Sequence, residues 1–130
     1  MTASWMPTAR EQVALQRHGH IQELERVDAV WPWLAERHGT ITAVDAPHAA
    51  HAERFSFAEL AQRIDTAAAA FQRQGVQEGD AVALFAENSP RWLVADQGLM
   101  RCGAADAVRG ASAPVEELRY ILDDCNANAL

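Results

Sequence analysis

The sequence predicts an α/β protein built around a parallel sheet, with helices packed against it. Apolar residues recur every three or four positions from Phe57 to Phe71, which is the spacing of an amphipathic helix. A short unbroken apolar run, AVALFA at residues 81–86, is typical of a strand that is covered on both faces. From residue 57 onward, helical and strand patterns alternate in the order α, β, α, β, α, β. Alternation at this spacing implies right-handed crossovers between parallel strands, giving a βαβαβ half-sheet.

Two short helices are predicted ahead of this half-sheet. Thr8 and Glu11 have the spacing of a capping box, which favours a short helix in the segment REQVALQRHG. The apolar face of that helix is thin, so we expect residues 1–27 to form a mobile leader. The segment VDAVWPWLAERHG, residues 27–39, predicts a second short helix that ends at a glycine.

A strand, ITAVDA at residues 41–46, and a polar, alanine-rich loop, PHAAHAER at residues 47–54, are expected next. One pair of histidines lies in the leader and a second pair lies in this loop. No cysteine or carboxylate completes either pair at metal-ligand spacing, so we expect solvated histidines and no metal site. The histidines are His18, His20, His48 and His51.

The central helix has clear start and stop signals. Ser56 and Glu59 form a second capping-box pattern at its start, immediately before the apolar stripe. Gly75 ends the helix, and the turn GVQEGD leads into the strand AVALFA.

The rest of the chain continues the alternation. Ser89 is predicted to cap a helix that Gly103 closes, and ADAVRG, residues 105–110, forms the next strand. Pro114 opens a third helix, PVEELRYILDDC. The segment NANAL, residues 126–130, begins one more strand and carries no cap or polar tail. A C-terminus of this kind is what we expect if the domain is truncated.

Composition and charge exclude several classes of protein. The net charge of −7 argues against a nucleic-acid partner. All eleven basic residues are arginine, which excludes chemistry that depends on a lysine ammonium from this chain alone. No run approaches the roughly 20 apolar residues of a membrane span, and no apolar signal region begins the chain. We therefore expect a cytoplasmic location and reduced, buried thiols at Cys102 and Cys125.

Candidate binding residues lie where the two strands AVALFA and ADAVRG end. Ligands of open parallel sheets bind beyond the carboxyl ends of the strands. Asn88 and Ser89 follow the first strand, and Arg109 and Gly110 end the second. An arginine can fork onto a phosphate or carboxylate, and a glycine lets a ligand lie close to the backbone.

Each of these residues also has a structural interpretation. Ser89 is a helix cap whether or not a ligand binds, and Arg109 could pair with Glu87 or Asp106. No GxGxxG motif occurs, and GLMRCG has GxxxxG spacing without the Lys-Ser/Thr of a phosphate loop. No Ser-His-Asp or Cys-His arrangement stands out, so we assign no catalytic residue and no metal ligand to this chain.

Five short motifs follow one another after residue 55. They are an aromatic-x-E-L helix start, G-V-x-x-G-D-x-V-A at the strand, an N-S-P cap, a G-A helix end, and E-E-L-x-x-I-L. In this order they resemble the N-terminal subdomain of the AMP-forming adenylating enzymes, which include acyl-CoA synthetases, peptide-synthetase adenylation domains and luciferases. The resemblance covers about residues 28–130. The V-R-G form of the strand ADAVRG is similar to the long-chain acyl-CoA and acyl–acyl-carrier-protein synthetases of cyanobacteria and plastids.

The resemblance implies a ligase as the parent protein. Such enzymes use ATP with magnesium to convert a carboxylate into an acyl-adenylate, and then pass the acyl group to a pantetheine thiol. The motifs that carry catalysis in the family lie beyond the matching region, and this chain contains none of them. We therefore expect an N-terminal fragment of a long-chain fatty acid ligase that binds no cofactor by itself. The implied partners are the rest of the parent chain, a fatty acid, and CoA or acyl carrier protein. Peripheral association of the parent with a membrane is left open.

One pair of site residues also comes from the resemblance. In acetyl-CoA synthetases the loop that matches Arg109 and Gly110 lies beside the pantetheine channel and has two adjacent glycines. Here the pair is Arg-Gly, so Gly110 is a candidate channel residue and Arg109 a candidate contact for the phosphate of a carrier-bound acceptor. Asn88 and Ser89 are assigned to a structural loop beside them.

A second hypothesis comes from a different class of protein. The same half-fold could act as a stand-alone α/β binding or interaction module without catalysis. The two hypotheses differ in what they expect of the C-terminus, and the NANAL ending favours the fragment. A fragment would expose an unpaired sheet edge, so we expect it to self-associate.

Overall fold

The computed structural model describes residues 8–17 and 24–130. The chain divides into two compact units, residues 1–30 and 31–130. The helices are α1 (Ala9–Arg17), α2 (Val30–His38), α3 (Phe57–Arg73), α4 (Pro90–Arg101) and α5 (Val115–Asp124), with a 3-10 turn at Val27–Ala29. The strands are β1 (Thr42–Ala46), β2 (Glu53–Ser56), β3 (Ala81–Phe85) and β4 (Ala105–Arg109).

The helix α1 begins at the predicted capping box. The Glu11 amide donates to Thr8 Oγ1 at 3.4 Å, and the Thr8 amide donates to Glu11 Oε2 at 2.7 Å. The Thr8 hydroxyl also donates to Glu11 Oε2 at 2.7 Å. This bond, followed by the bond from the Thr8 amide, favours the ionised carboxylate and holds the pKa of Glu11 below its usual range. The histidines predicted in the leader, His18 and His20, lie outside the described residues.

The strand β3 is the centre of a parallel sheet, which confirms the predicted parallel arrangement. β4 pairs with β3 in parallel along the whole length of both strands. Val82 and Ala129 form a parallel bridge, and the Ala83 amide donates to the Ala129 carbonyl at 2.8 Å. The amide of Ala83 points away from β4, so the bridge lies on the opposite edge of β3. The predicted last strand is therefore represented by this bridge.

The structure contradicts the predicted loop at residues 53–54. These residues belong to β2, which pairs antiparallel with β1 to form a hairpin ahead of the parallel sheet. The strand carries a single large apolar side chain, Phe55, which is 2% exposed. One apolar residue gives too weak an alternation for a strand to be predicted. The ladder to β1 and an ion pair between Arg54 and Asp45 at 2.5 Å hold the strand in place.

The helix α3 connects the hairpin to the parallel sheet. The Glu59 amide donates to Ser56 Oγ at 3.3 Å and the Ser56 amide donates to Glu59 Oε2 at 2.8 Å, which confirms the second capping box. The buried face of α3 contributes to two apolar clusters, one against the hairpin and one against β3. The first contains Phe55, Leu60 and Ile64 with Trp31 packed against them, and the second contains Ala68, Val82, Leu99, Cys102 and Ala104.

The helices α4 and α5 cover opposite faces of the parallel sheet. Asp106 on β4 meets Asp96 on α4, whereas Arg109 on β4 meets Glu117 on α5. Strand residues separated by an odd number of positions point to opposite faces, so the two helices lie on different sides.

Both cysteines are free thiols. Cys102 is buried as predicted, and its burial raises the pKa of the thiol, whereas Cys125 is only partly buried. In the part of the chain that the structure describes, no helix is both long and apolar enough to cross a membrane.

Candidate functional site

A cleft of about 300 Å³ opens at the carboxyl ends of β3 and β4. This is the position at which ligands bind in open parallel sheets. The loop after β3 forms one wall, the first turn of α4 forms a second, and the end of β4 forms a third. The lining residues are Ala86, Glu87, Asn88, Trp92, Val108, Arg109 and Gly110.

The structure brings three of the four predicted site residues into this cleft. Asn88, Arg109 and Gly110 line it together, although 20 positions separate the first two in the sequence. Ser89 does not line it, because its Oγ accepts a hydrogen bond from the Trp92 amide at 3.1 Å and caps α4. Ser89 therefore has the structural role that the sequence allowed.

Arg109 pairs with neither of the carboxylates that the sequence offered. Its Nε donates to Glu117 Oε1 at 2.6 Å, across the loop that joins β4 to α5. The hydrogen bond lowers the pKa of Glu117 and raises that of Arg109. Asp106 is excluded because it points to the opposite face of β4. The Arg109 side chain is 47% exposed, so the guanidinium can also contact a ligand at the mouth of the cleft.

Glu87 forms an acidic wall to which the sequence assigned no function. Ser112 Oγ donates to Glu87 Oε1 at 3.3 Å. A Cβ atom built on Gly110 would lie 3.3 Å from the same oxygen, which is tighter than most real contacts. The absence of a side chain at Gly110 therefore lets the carboxylate lie close against the loop. The position of Glu87, directly after a buried strand, is the signal that could have identified it.

The remaining lining residues give the cleft one polar and one apolar side. Asn88 is exposed, and its side-chain amide has no hydrogen-bond partner among the described residues, so it can donate and accept. Trp92 and Val108 form the apolar side, and Val108 is 47% exposed. A flexible chain that carries amide groups would match both sides.

Two carboxyl groups lie deeper between α4 and β4. Asp96 is one helical turn beyond Trp92, and Asp106 is two residues before Val108 on the same face of β4. Asp106 Oδ2 is buried and has no hydrogen-bond donor when both groups are ionised. Burial, and then the contact with Asp96, raises the pKa of Asp106 to about 6. A proton held by the pair supplies the hydrogen bond that the ionised groups lack.

The carboxyl pair is tied into a longer polar chain. Gln97 Nε2 donates to Asp96 Oδ2 at 2.5 Å, and Trp31 Nε1 donates to Gln97 Oε1 at 2.6 Å. These bonds connect α2 to α4 and hold the Asp96 side chain in place beside β4.

The cleft is not suited to a metal ion or a triphosphate. Its charged groups are the Glu87 carboxylate and the Arg109 guanidinium, which is already paired with Glu117. Across residues 8–17 and 24–130, no group of three or more His, Cys, Asp or Glu side chains is placed to hold a metal. The exposed His48 and His51 take part in no such group.

Comparison with known proteins assigns this fold to one family. The family model described as AMP-binding enzyme matches residues 31–130. The chain is 37% identical over 113 residues to a probable chloroplastic acyl-activating enzyme of Arabidopsis thaliana. It is 38% identical over 99 residues to a chloroplastic long-chain-fatty-acid–[acyl-carrier-protein] ligase of the same plant. These matches cover 85% and 76% of the chain but only 16% and 14% of the relatives, so the chain spans about a sixth of their length.

Solved structures show the same fold. The N-terminal subdomain of NpsA from Klebsiella oxytoca matches with a TM-score of 0.73 at 23% identity, over 80% of this chain and 26% of that one. A fatty acyl CoA synthetase from Mycobacterium tuberculosis matches with a TM-score of 0.73 at 20% identity, over 78% of this chain and 20% of that one. The fold is therefore that of one part of such a subdomain, since the chain covers about a quarter of the NpsA structure.

Proposed function

The chain belongs to the AMP-binding enzyme family, and we propose that it forms the N-terminal part of a long-chain fatty acid ligase. The observation that supports this proposal is the 38% identity to a long-chain-fatty-acid–[acyl-carrier-protein] ligase across 76% of the chain. In the proposed reaction a fatty acid carboxylate attacks the α-phosphate of ATP and displaces pyrophosphate, and a thiol then attacks the resulting acyl-adenylate and displaces AMP. The ATP and magnesium sites belong to the remainder of the parent protein, since the cleft is not suited to either.

We assign the cleft at the carboxyl ends of β3 and β4 to the path of the pantetheine arm. Pantetheine is an uncharged chain with two amide groups, and it ends in the thiol that accepts the acyl group. The free amide of Asn88 and the partly exposed backbone at Gly110 offer hydrogen bonds to such a chain. Trp92 and Val108 provide an apolar wall for its methylene groups. Arg109 stands at the mouth, where its guanidinium can meet the phosphate of CoA or of a carrier protein.

We also propose the substrates and the location of the parent protein. Its acceptor is CoA or acyl carrier protein, its substrate is a long-chain fatty acid, and its location is cytoplasmic. The remainder of the parent chain supplies the covering for the open cleft and for the outer edge of β4.

Gly110→Val in the complete parent protein tests the assignment of the cleft. A branched side chain at this position would narrow the cleft beside Glu87, so we expect the acceptor KM to rise about fivefold or more. Fatty-acid-dependent exchange of pyrophosphate into ATP should stay unchanged, because it precedes thiol binding. Ala111→Val is the matched control, since Ala111 is exposed and does not line the cleft.

Arg109→Ala tests the contact at the mouth of the same cleft. If the guanidinium binds the acceptor phosphate, its loss raises the acceptor KM and again leaves pyrophosphate exchange unchanged. An unaltered acceptor KM and turnover would show that Arg109 serves only to pair with Glu117.

A further inference from the structure

A second concave surface lies away from the cleft, in the groove between α3 and α4. Its volume is about 440 Å³, within the range of sites that bind small molecules. The floor consists of small and apolar side chains, because the helices approach closely where α4 has a glycine. The apolar floor residues are Ala67, Ala70, Phe71, Val94 and Ala95.

Among the described residues, one arginine at the rim of the groove has no ion-pair partner. Arg63 Nη1 lies 3.5 Å from Glu53 Oε1, and its guanidinium stacks 4.4 Å from the centre of the Phe55 ring. These contacts neutralise Arg63 and Glu53 against each other. Arg91 is exposed and makes no ion pair or hydrogen bond through its side chain among the described residues. The groove therefore offers a single free guanidinium beside an apolar floor.

Arg91 also lies between two cavities. A smaller cavity of about 180 Å³ adjoins the groove and shares Glu53, Pro90 and Arg91 with it. A group bound at Arg91 thus has room on the side facing the β1–β2 turn, while a chain attached to it can extend along the helices.

We propose that this groove binds a long-chain carboxylate, with its alkyl chain along the alanine floor and its head group on Arg91. A single negative charge and a long apolar tail match one free guanidinium and one apolar groove. A peptide would fit less well, because its backbone needs many hydrogen-bond partners and the groove has few. Gln62 and Thr66 are the uncharged polar lining residues, and the Thr66 hydroxyl already donates to the Gln62 carbonyl at 2.8 Å.

The inference depends on the groove alone and not on the proposed ligase function. Its test uses the 130-residue chain without ATP, so failure of one proposal does not bear on the other.

Titration of the chain with dodecanoate below its micelle concentration tests the site through the amide chemical shifts in NMR, at a protein concentration where sedimentation shows a monomer. Shifts should concentrate on the facing sides of α3 and α4. Burial of a methylene contributes about 0.8 kcal/mol when complete, so affinity should rise about two- to fourfold per methylene from octanoate to dodecanoate. Dodecanol, which lacks the charge, should bind about tenfold more weakly.

Two pairs of variants separate the site from unspecific binding. Arg91→Gln should weaken dodecanoate binding about tenfold, whereas Arg73→Gln should not, since Arg73 is exposed on α3 outside the groove. Ala70→Leu should fill the floor and abolish binding, whereas Ala69→Leu, on the exposed side of α3, should leave it unchanged. Equal affinity for dodecanol and dodecanoate, or equal affinity of either variant and its control, would overturn the proposal.

Discussion

The carboxyl pair formed by Asp96 and Asp106 predicts that one conservative substitution stabilises this protein at neutral pH. Asp106→Asn replaces a group that must ionise above its raised pKa with an amide that stays neutral. The amide can donate to Asp96, as the protonated carboxyl does. We therefore expect the variant to keep the hydrogen bond at every pH and to lose the repulsion between two charges.

The magnitude follows from the pKa of Asp106. A rise from 3.8 to about 6 corresponds to about 3 kcal/mol if the group is fully shielded from solvent. Asp106 is only partly buried, so solvent screening reduces the expected effect to about 1–2 kcal/mol. The folded state of the wild type holds the Asp106 proton more tightly than the unfolded chain does. The wild type therefore loses this stability as the pH rises from about 4 to about 6. Below that range the wild-type and variant proteins should be equally stable.

Urea unfolding at pH 4.5 and pH 7.5 measures this difference. Asp106→Asn should gain about 1–2 kcal/mol over the wild type at pH 7.5 and much less at pH 4.5. Asp123→Asn, an exposed position on α5, is the control and should change stability by less than about 0.5 kcal/mol at both values. A variant that is less stable than the wild type at pH 7.5 would refute the shared-proton interpretation.

Helix packing, helix capping and the sheet edge can each be tested in the same way. Gly98→Ala should destabilise the chain by about 1–2 kcal/mol in urea unfolding, since its Cβ would lie 2.9 Å from Ala67 Cβ. Unchanged stability would show that α3 and α4 separate easily. Ser56→Ala removes the cap of α3 and should lower the free energy of unfolding by about 1 kcal/mol. Thr66→Ala, inside the same helix, is the control and should lower it much less, because alanine has the higher helix propensity. The 130-residue chain should self-associate in sedimentation experiments because β4 has an unpaired outer edge among the described residues. A sharp, reversible unfolding transition that is independent of concentration would contradict this last expectation.

The elements with strong local signals were predictable from the sequence. The capping boxes at Thr8 and Ser56, the cap at Ser89 and the strand AVALFA all have the positions that their motifs indicate. Each depends on neighbours within a few residues, so the chain itself carries the information. The strand β2 was missed because its stability comes from pairing with β1 and not from its own pattern.

The candidate site was predictable in position but not in its contacts. The alternation of helices and strands placed Asn88, Arg109 and Gly110 at one edge of the sheet, and the cleft lies there. The two predicted partners of Arg109, Glu87 and Asp106, were wrong. The choice between them and Glu117 depends on which face of β4 each side chain meets. The pairing of Asp96 with Asp106 depends likewise on how α4 packs on β4, and no sequence spacing encodes it.

Pyrophosphate exchange tests the central claim most directly. The complete reading frame that encodes this chain would be expressed, and the transfer of labelled pyrophosphate into ATP measured with and without a long-chain fatty acid. We expect exchange that requires the fatty acid, in a protein whose remainder supplies the lysine and phosphate-binding groups that these 130 residues lack. Absence of fatty-acid-dependent exchange in the complete and folded product would contradict the proposed ligase function.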